Sequence, residues 1–184
     1  MASEPGGTML AVTAHVFVDE SKRGGYLVTA AAVLPSDLGR ARQAVRGLIL
    51  PGQRRLHFTH ENDNRRKQIL DVIAELHPAV TIYDGSAHDR RRQREACLNG
   101  LVADLATTST RMLVLETDES VLDLDRRVLY RSTRLHGCEA LEYRHHRAHE
   151  EPLLAIPDAL AWCRQRGGPW KTRAKDFVVG VKIV

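Results

Sequence analysis

Three acidic positions, far apart along the chain, are the best candidates for chemistry. Asp19 follows the apolar run Val16-Phe17-Val18, where a strand should end. The cluster Glu116-Thr117-Asp118-Glu119 follows a second apolar run, and Asp158 lies near the start of a late helical segment. A carboxylate at the end of a strand packs poorly but suits a hard cation. We therefore expect these acids to converge on magnesium, an arrangement that can support phosphodiester chemistry.

Each of these acids also has a purely structural interpretation, which the sequence leaves open. Asp19 is typical of a residue that begins a turn. Asp118 can be the N-cap of the helix that follows it. Asp158 lies in the first turn of a helix, where any acid complements the helix dipole. Only the folded arrangement can separate these interpretations from the functional one.

The elements that must position these residues alternate along the chain, which predicts an α/β (α+β layered) domain. The predicted strands span residues 10–19, 26–34, 79–83 and 111–115, and the predicted helices span 36–50, 61–76, 88–106, 119–134 and 157–165. Ser36 is the expected cap of the first helix, and Gly167-Gly168 is expected to end the last. Residues 55–58 and 141–145 should be short extended segments, and 177–184 an extra strand or a packed tail.

Composition limits the classes of protein to consider. The chain has 184 residues, a formal net charge of +4 and a pI of about 9.2, which fits a polyanionic partner such as nucleic acid. It has no run of about 20 apolar residues, which a membrane span requires. Its three cysteines are far apart and odd in number, which is neither a disulfide framework nor a zinc pattern. We expect a cytoplasmic protein with a flexible segment at 1–8 and one domain at 9–184; a homo-oligomer is neither predicted nor excluded.

Four stretches resemble the bacterial domain of unknown function 3800 family, and the resemblance covers nearly the whole chain. They are Phe17-Val18-Asp19-Glu20-Ser21, Leu56-His57-Phe58, Leu115-Glu116-Thr117-Asp118-Glu119-Ser120 and the segment 150–162, which contains Ile156-Pro157-Asp158-Ala159. The resemblance implies a single ribonuclease H-like domain, with a mixed central sheet flanked by helices. Because the activity of that family is largely undescribed, the resemblance says more about fold than about function.

The resemblance implies a metal site made of three acids. Asp19 matches the aspartate of the first strand, and Asp118 falls in the later acidic position, with Glu116 as its near rival. Asp158 matches the late-helix aspartate, although Pro157 stands where the family commonly has alanine. In a ribonuclease H-like site such acids hold two divalent ions about 4 Å apart. Oxygen ligands of this kind select Mg²⁺ or Mn²⁺.

The third of these stretches departs from the family pattern. His57 matches the family histidine and is a candidate to orient a water, contact a phosphate or shuttle a proton. Arg55 stands where the family has a glutamate, so a fourth acidic ligand must come from elsewhere. The candidates are Glu20, Glu61 and Asp84.

Two further clusters have functional and structural interpretations. Arg90, Arg91, Arg92 and Arg94 form the densest basic run, which can hold a phosphate backbone or can be a solvated helix face. His145 and His149 would share one face of a helix and could then bind zinc. The segment lacks the His-Glu-x-x-His pattern, so a solvated basic surface is the default.

These observations support three hypotheses about function. The first is a Mg²⁺- or Mn²⁺-dependent nuclease, or a related phosphoryl-transfer enzyme acting on nucleic acid, with Glu116, Glu20 and His57 supplementing the three aspartates. The second is a non-catalytic nucleic-acid- or protein-binding member of the same fold, which the arginine at position 55 favours. The third is a hydrolase of a small phosphorylated molecule, which would need a closed pocket.

Overall fold

A six-stranded mixed sheet forms the centre of the protein in the computed structural model, which describes residues 14–184. The strands are β1 His15–Ser21, β2 Leu27–Val33, β3 Ala79–Asp84, β4 Met112–Glu116, β5 Glu142–His146 and β6 Val178–Ile183. Their order across the sheet is β5-β4-β1-β2-β3-β6. The pairs β1/β2 and β2/β3 are antiparallel, whereas β4, β5 and β6 pair in parallel with their neighbours. The predicted α/β layered class is therefore confirmed, with β1 and β2 at the centre of the sheet.

Helices cover both faces of this sheet. They are α1 Leu38–Gly47, α2 Asp63–Glu75, α3 Gln93–Leu105, α4 Leu122–Leu135, α5 Ala155–Arg166 and α6 Gly168–Ala174. Two apolar clusters form the core, one on each face: the first involves α1, α2 and α5, and the second involves α3 and α4. Helix α5 is buried along almost its whole length, because it packs directly on β1 and β2. A residue near its start is therefore held against the central strands.

The alternation of β1 decides which way its acids point. Phe17 belongs to the cluster on the α5 face, whereas Val16 and Val18 belong to the cluster on the α3 face. Because successive side chains of a strand point to opposite faces, Asp19 points towards α5 and Glu20 towards α3. The same alternation in β4 puts Val114 and Glu116 on the α5 face.

Some local predictions were wrong. Residues 55–58 form no strand; Phe58–His60 is a 3-10 turn instead. Ser36 does not cap α1, because Pro35–Asp37 is itself a 3-10 turn and Asp37 occupies the N-cap position. Helix α3 begins at Gln93, later than expected, because residues 88–92 form turns. Helix α6 was not predicted at all.

Other predictions are confirmed. Gly167 ends α5 with a φ of 72°, a conformation that glycine adopts without strain. The tail at 177–184 is a strand, since β6 pairs with β3. The predicted flexible segment 1–8 and the start of the first predicted strand lie outside the described residues. In the part of the chain that is described, no helix is long and apolar enough to span a membrane.

Candidate carboxylate site

Asp19 lies at the centre of a group of carboxyls. It is deeply buried, and burial is the main reason that its pKa is raised well above the usual value for an aspartate. The negative charges of Asp158 and Glu116 raise the pKa of Asp19 further, as does a hydrogen bond between the Asp19 and Glu116 carboxyls. The backbone N–H of Glu20 donates a 2.8 Å hydrogen bond to Asp19 Oδ1, which acts in the opposite direction. The main charges acting on Asp19 therefore come from two other acids.

Glu116 reaches Asp19 because β1 and β4 run side by side in parallel. Val18 pairs with Leu115 in the ladder, so the next residue of each strand, Asp19 and Glu116, lie together at the carboxyl ends of the strands. Both point to the α5 face. The Arg55 guanidinium donates a 2.8 Å hydrogen bond to Glu116 Oε1. Glu116 thus contacts an acid on one side and a cation on the other.

Asp158 completes the group from α5. Burial raises its pKa, and the charge of Glu116 adds to this shift. The backbone N–H of Phe58 donates a 3.2 Å hydrogen bond to Asp158 Oδ2, and His57 lies close enough to favour the charged carboxylate. Complementing the helix dipole is therefore not the only role of Asp158. Its carboxylate faces the other acids and is held by the segment 55–60.

Two uncharged polar groups near these acids lack partners. Thr29 stands directly opposite Asp19 in the β1/β2 ladder, is fully buried, and its Oγ1 makes no hydrogen bond. His57 Nδ1 is also buried without a partner. The pKa of His57 is lowered, first by burial, and the charge of Arg55 contributes to the lowering. Buried polar atoms without partners are costly and are commonly satisfied by a water or an ion.

Asp118 lines the same cleft as Asp19 and Glu116, but other residues hold its carboxylate. Its Oδ1 accepts hydrogen bonds from the Ser120 hydroxyl and the Ser120 backbone N–H, and the hydroxyl is the main reason that its pKa is lowered. Lys22 lies 3.7 Å from its Oδ2. Asp118 therefore stabilises the loop before α4, and the structure brings its rival Glu116, not Asp118, next to Asp19.

Glu20 is held in a separate network on the opposite face of the sheet. It accepts hydrogen bonds from Tyr26 and Arg94 and lies 2.7 Å from Lys22. The other two proposed sources of a fourth acid also have partners: Glu61 lies 3.6 Å from Arg65, and Asp84 accepts a hydrogen bond from the Ser86 backbone N–H. Among the described residues, none of the three candidates for a fourth acidic ligand joins Asp19, Glu116 and Asp158.

The four clustered arginines separate into two kinds. Arg90, Arg91 and Arg92 are exposed in the turns before α3, where they remain able to meet a polyanion. Arg94 is only 8% exposed and its charge is already engaged, because its guanidinium binds the fully buried Asp125 through two hydrogen bonds and also reaches Glu20. Sequence inspection missed Asp125, because an acid inside an amphipathic helix gives no signal of its buried partner.

The predicted zinc alternative does not fit this fold. His145 lies in β5, not on a helix, so it does not share a helix face with His149. Its Nε2 lies 3.1 Å from Asp125 Oδ2, within the Arg94 network. Burial would raise the pKa of Asp125, but hydrogen bonds from Arg94 and His145 lower it overall.

The donor set of Asp19, Glu116 and Asp158 suits a hard divalent cation, because all its side-chain donors are carboxylate oxygens. Two of these carboxyls have raised pKa values, and a bound cation would relieve the repulsion that causes part of the shift. However, within residues 14–184 no three acidic, histidine or cysteine side chains are already arranged as ligands around one point. Side-chain movement is therefore needed before the three carboxyls can share an ion, and the hydrogen bond from Arg55 holds Glu116 in its present position.

A cleft of about 430 Å³ lies beside Asp19 and Glu116 near the carboxyl ends of β1 and β4, and its lining does not include Asp158. Its walls include Asp19, Glu20, Arg94, Glu116, Thr117 and Asp118. The cleft is partly open to solvent, and among the described residues that line it five are acidic, whereas Arg94 is the one basic residue.

Comparisons with known proteins agree with this architecture. No family model and no curated protein sequence matches the chain, so the resemblance to the domain of unknown function 3800 family gains no support from them. Among solved structures, the chain is similar to one in the PCNA:RNase HII complex from Archaeoglobus fulgidus, with a TM-score of 0.56 and 13% identity over 90% of this chain and 78% of that one. It is also similar to a mutant of Bst-RNase HIII, with a TM-score of 0.46 and 15% identity over 85% of this chain and 56% of that one.

Of these two similarities, only the one to the RNase HII chain assigns the fold, because its TM-score is above 0.5. It extends over most of both chains, and at 13% identity it concerns the fold alone. The protein therefore has a ribonuclease H-like fold.

Proposed function

We propose that the protein is a metal-dependent nuclease, or a related phosphoryl-transfer enzyme, acting on nucleic acid. The observation that carries the proposal is the meeting of Asp19 from β1, Glu116 from β4 and Asp158 from α5 at one end of the sheet. The ribonuclease H-like fold supports it, as does the basic composition of the chain. The proposal includes membership of the domain of unknown function 3800 family and a cytoplasmic location.

Asp19, Glu116 and Asp158 are the residues that would hold Mg²⁺ or Mn²⁺. When bound, such ions supply activation of an attacking water and stabilisation of the leaving oxygen. Asp118, first proposed as a ligand, is replaced by Glu116 in this proposal, because Asp118 is engaged by Ser120.

The remaining roles belong to residues around the carboxyls. His57, with its neutral form favoured by burial and a free Nδ1, is suited to orient a water or accept a proton. Exposed Arg90, Arg91 and Arg92 are proposed to hold the phosphate backbone, without the buried Arg94.

A second function is favoured by one contact. The 2.8 Å hydrogen bond from Arg55 to Glu116 puts a permanent cation next to the acids, where a divalent ion would otherwise neutralise them. A non-catalytic member of the fold, which binds nucleic acid or a protein without metal, would have this arrangement. The two functions can be distinguished by whether a divalent cation binds the protein and stabilises it.

Cleavage of labelled single-stranded and duplex DNA and RNA, and of an RNA/DNA hybrid, tests the first function. We expect cleavage with Mg²⁺ or Mn²⁺, none with a chelator, and none by the Asp19→Asn variant. Asp123→Asn is a matched control, because Asp123 is highly exposed on α4. If the parent and Asp19→Asn cleave equally, the carboxyls are not the catalytic site; if no substrate is cleaved and no metal binds, the non-catalytic function stands.

A further inference from the structure

The segment 55–60 is attached to two of the three proposed metal ligands. At its start, Arg55 donates to Glu116 Oε1 at 2.8 Å. Three residues later, the backbone N–H of Phe58 donates to Asp158 Oδ2 at 3.2 Å. The buried Phe58 side chain anchors the segment in the core, where it packs edge-on against Trp162. The segment is therefore fixed along the rim of the carboxylate site.

This attachment holds two imidazole rings beside the acids. His57 and His60 are stacked, with ring centroids 4.1 Å apart and an interplanar angle of 21°. His57 is the inner member, since it lies close enough to Asp158 for the two charges to interact. His60 is the outer member and is exposed. One face of the His60 ring lies on His57, and the exposure of the residue leaves the ring accessible from its other side.

An exposed aromatic face beside a phosphodiester-cleaving site has a natural ligand. Every nucleobase has a π-face, and stacking on an aromatic side chain binds it without sequence preference. The bases inside a duplex have both faces covered by neighbouring base pairs, and only the pair at each end exposes one face, so an unpaired base is the better ligand for such a ring. The neighbouring Arg54 is exposed and supplies positive charge for the phosphate of that nucleotide.

We propose that the outer face of His60 is the stacking platform for an unpaired nucleobase, and that the protein takes its substrate as a single strand. The inference rests on the proposed function and adds the class of substrate. His57 acts as the support that keeps the His60 ring in place. The base on His60 would then belong to a nucleotide close to the metal ions that Asp19, Glu116 and Asp158 would hold.

Binding measurements in the Asp19→Asn background, where cleavage is not expected, test this inference. Fluorescence anisotropy is measured with three labelled DNA probes of equal length: a single strand, a blunt duplex, and a single strand of abasic residues. We expect His60→Ala to weaken binding of the normal single strand about fivefold or more, and His60→Trp to restore or strengthen it. Binding of the abasic strand and the duplex should not change.

The abasic probe separates stacking from charge, because it keeps the phosphates and removes the bases. His136→Ala is the matched control, since His136 is an exposed histidine at the far end of α4. Thermal unfolding of each variant checks that the fold is intact. Equal loss with normal and abasic strands, or no loss with either, overturns the stacking inference while leaving the nuclease proposal intact. Failure of the parent to bind any nucleic acid would instead remove the proposed function itself.

Discussion

Arg55 and Glu116 form an ion pair at 2.8 Å on the rim of the carboxylate site, so a fixed cation already occupies one side of the acid group. The Arg55 guanidinium offsets part of the negative charge of Asp19, Glu116 and Asp158. It is also a competitor of any divalent cation, because both are drawn to the same carboxylate.

Arg55→Ala should strengthen metal binding. Without the guanidinium, Glu116 keeps its contact with Asp19 but is no longer held by a cation, and the negative charge at the site is no longer offset. We expect the rise in Tm caused by Mg²⁺ to be larger in this variant than in the parent, since a ligand that binds only the folded state stabilises it. The neighbouring exposed residue provides the control Arg54→Ala, which should respond as the parent does. A smaller response in Arg55→Ala would mean that Arg55 supports the site instead of competing for it.

Glu116→Gln and Asp118→Asn should differ sharply in activity. Glu116 contacts Asp19, whereas Asp118 is bound by Ser120. Loss of a metal ligand removes several kcal/mol of transition-state stabilisation, so cleavage by Glu116→Gln should fall about 100-fold or more. Cleavage by Asp118→Asn should stay within a few-fold of the parent. Initial rates with Mg²⁺ decide this, and the reverse order would restore Asp118 as the ligand that the sequence suggested.

Metal-free protein should lose stability as the pH rises, through Asp19. Its pKa is raised in the folded state, so the folded protein holds this proton more tightly than the unfolded chain does. The resulting stabilisation is complete below the ordinary pKa of an aspartate and is lost as the pH rises through the raised value. Each unit of the shift is equivalent to about 1.4 kcal/mol.

The Asp19→Asn variant isolates this effect, because asparagine does not titrate. In a chelator, its free energy of unfolding should exceed that of the parent by an amount that grows with pH, and Mg²⁺ should shrink the difference. Urea unfolding at several pH values measures it, with Asp123→Asn as an exposed control. A difference that does not vary with pH would show that Asp19 has an ordinary pKa.

Arg94→Met should destabilise the protein by about 3–5 kcal/mol, whatever its effect on nucleic acid. Removing the guanidinium leaves Asp125, which is fully buried, without its main partner. Arg90→Ala is the control from the same basic run; it is exposed, so its stability should change by less than about 0.5 kcal/mol. Chemical denaturation of both variants tests the contrast, and equal stabilities would contradict the buried network.

The fold class could be predicted from the sequence because the spacing of apolar residues indicates where helices and strands form. The apolar runs at β1, β2 and β4 and the amphipathic patterns of α1 and α4 appear in the structure within a few residues of their expected limits. Helix α6 and the turns before α3 were missed. The conformation of such short segments depends on packing more than on local sequence. In residues 88–92 the arginine run was expected to be helical but forms turns.

The site was predictable in part. Asp19 and Asp158 could be recognised because each interrupts an apolar pattern at the end of an element. The choice between Glu116 and Asp118 depended on where β4 ends, and the strand extends through Glu116. Counting alternate residues from Val114 would have put Glu116 on the same face as Asp19. The partners Arg55 and Asp125 could not be found this way, because their contacts join residues more than 30 positions apart.

The most direct test of the account is a crystal structure of the protein soaked in Mn²⁺, with anomalous scattering used to locate the ion. The account predicts an anomalous peak with oxygen ligands from Asp19, Glu116 and Asp158, together with a Glu116 side chain turned away from Arg55. A protein that shows no peak there under saturating Mn²⁺, with Arg55 still bound to Glu116, would contradict it.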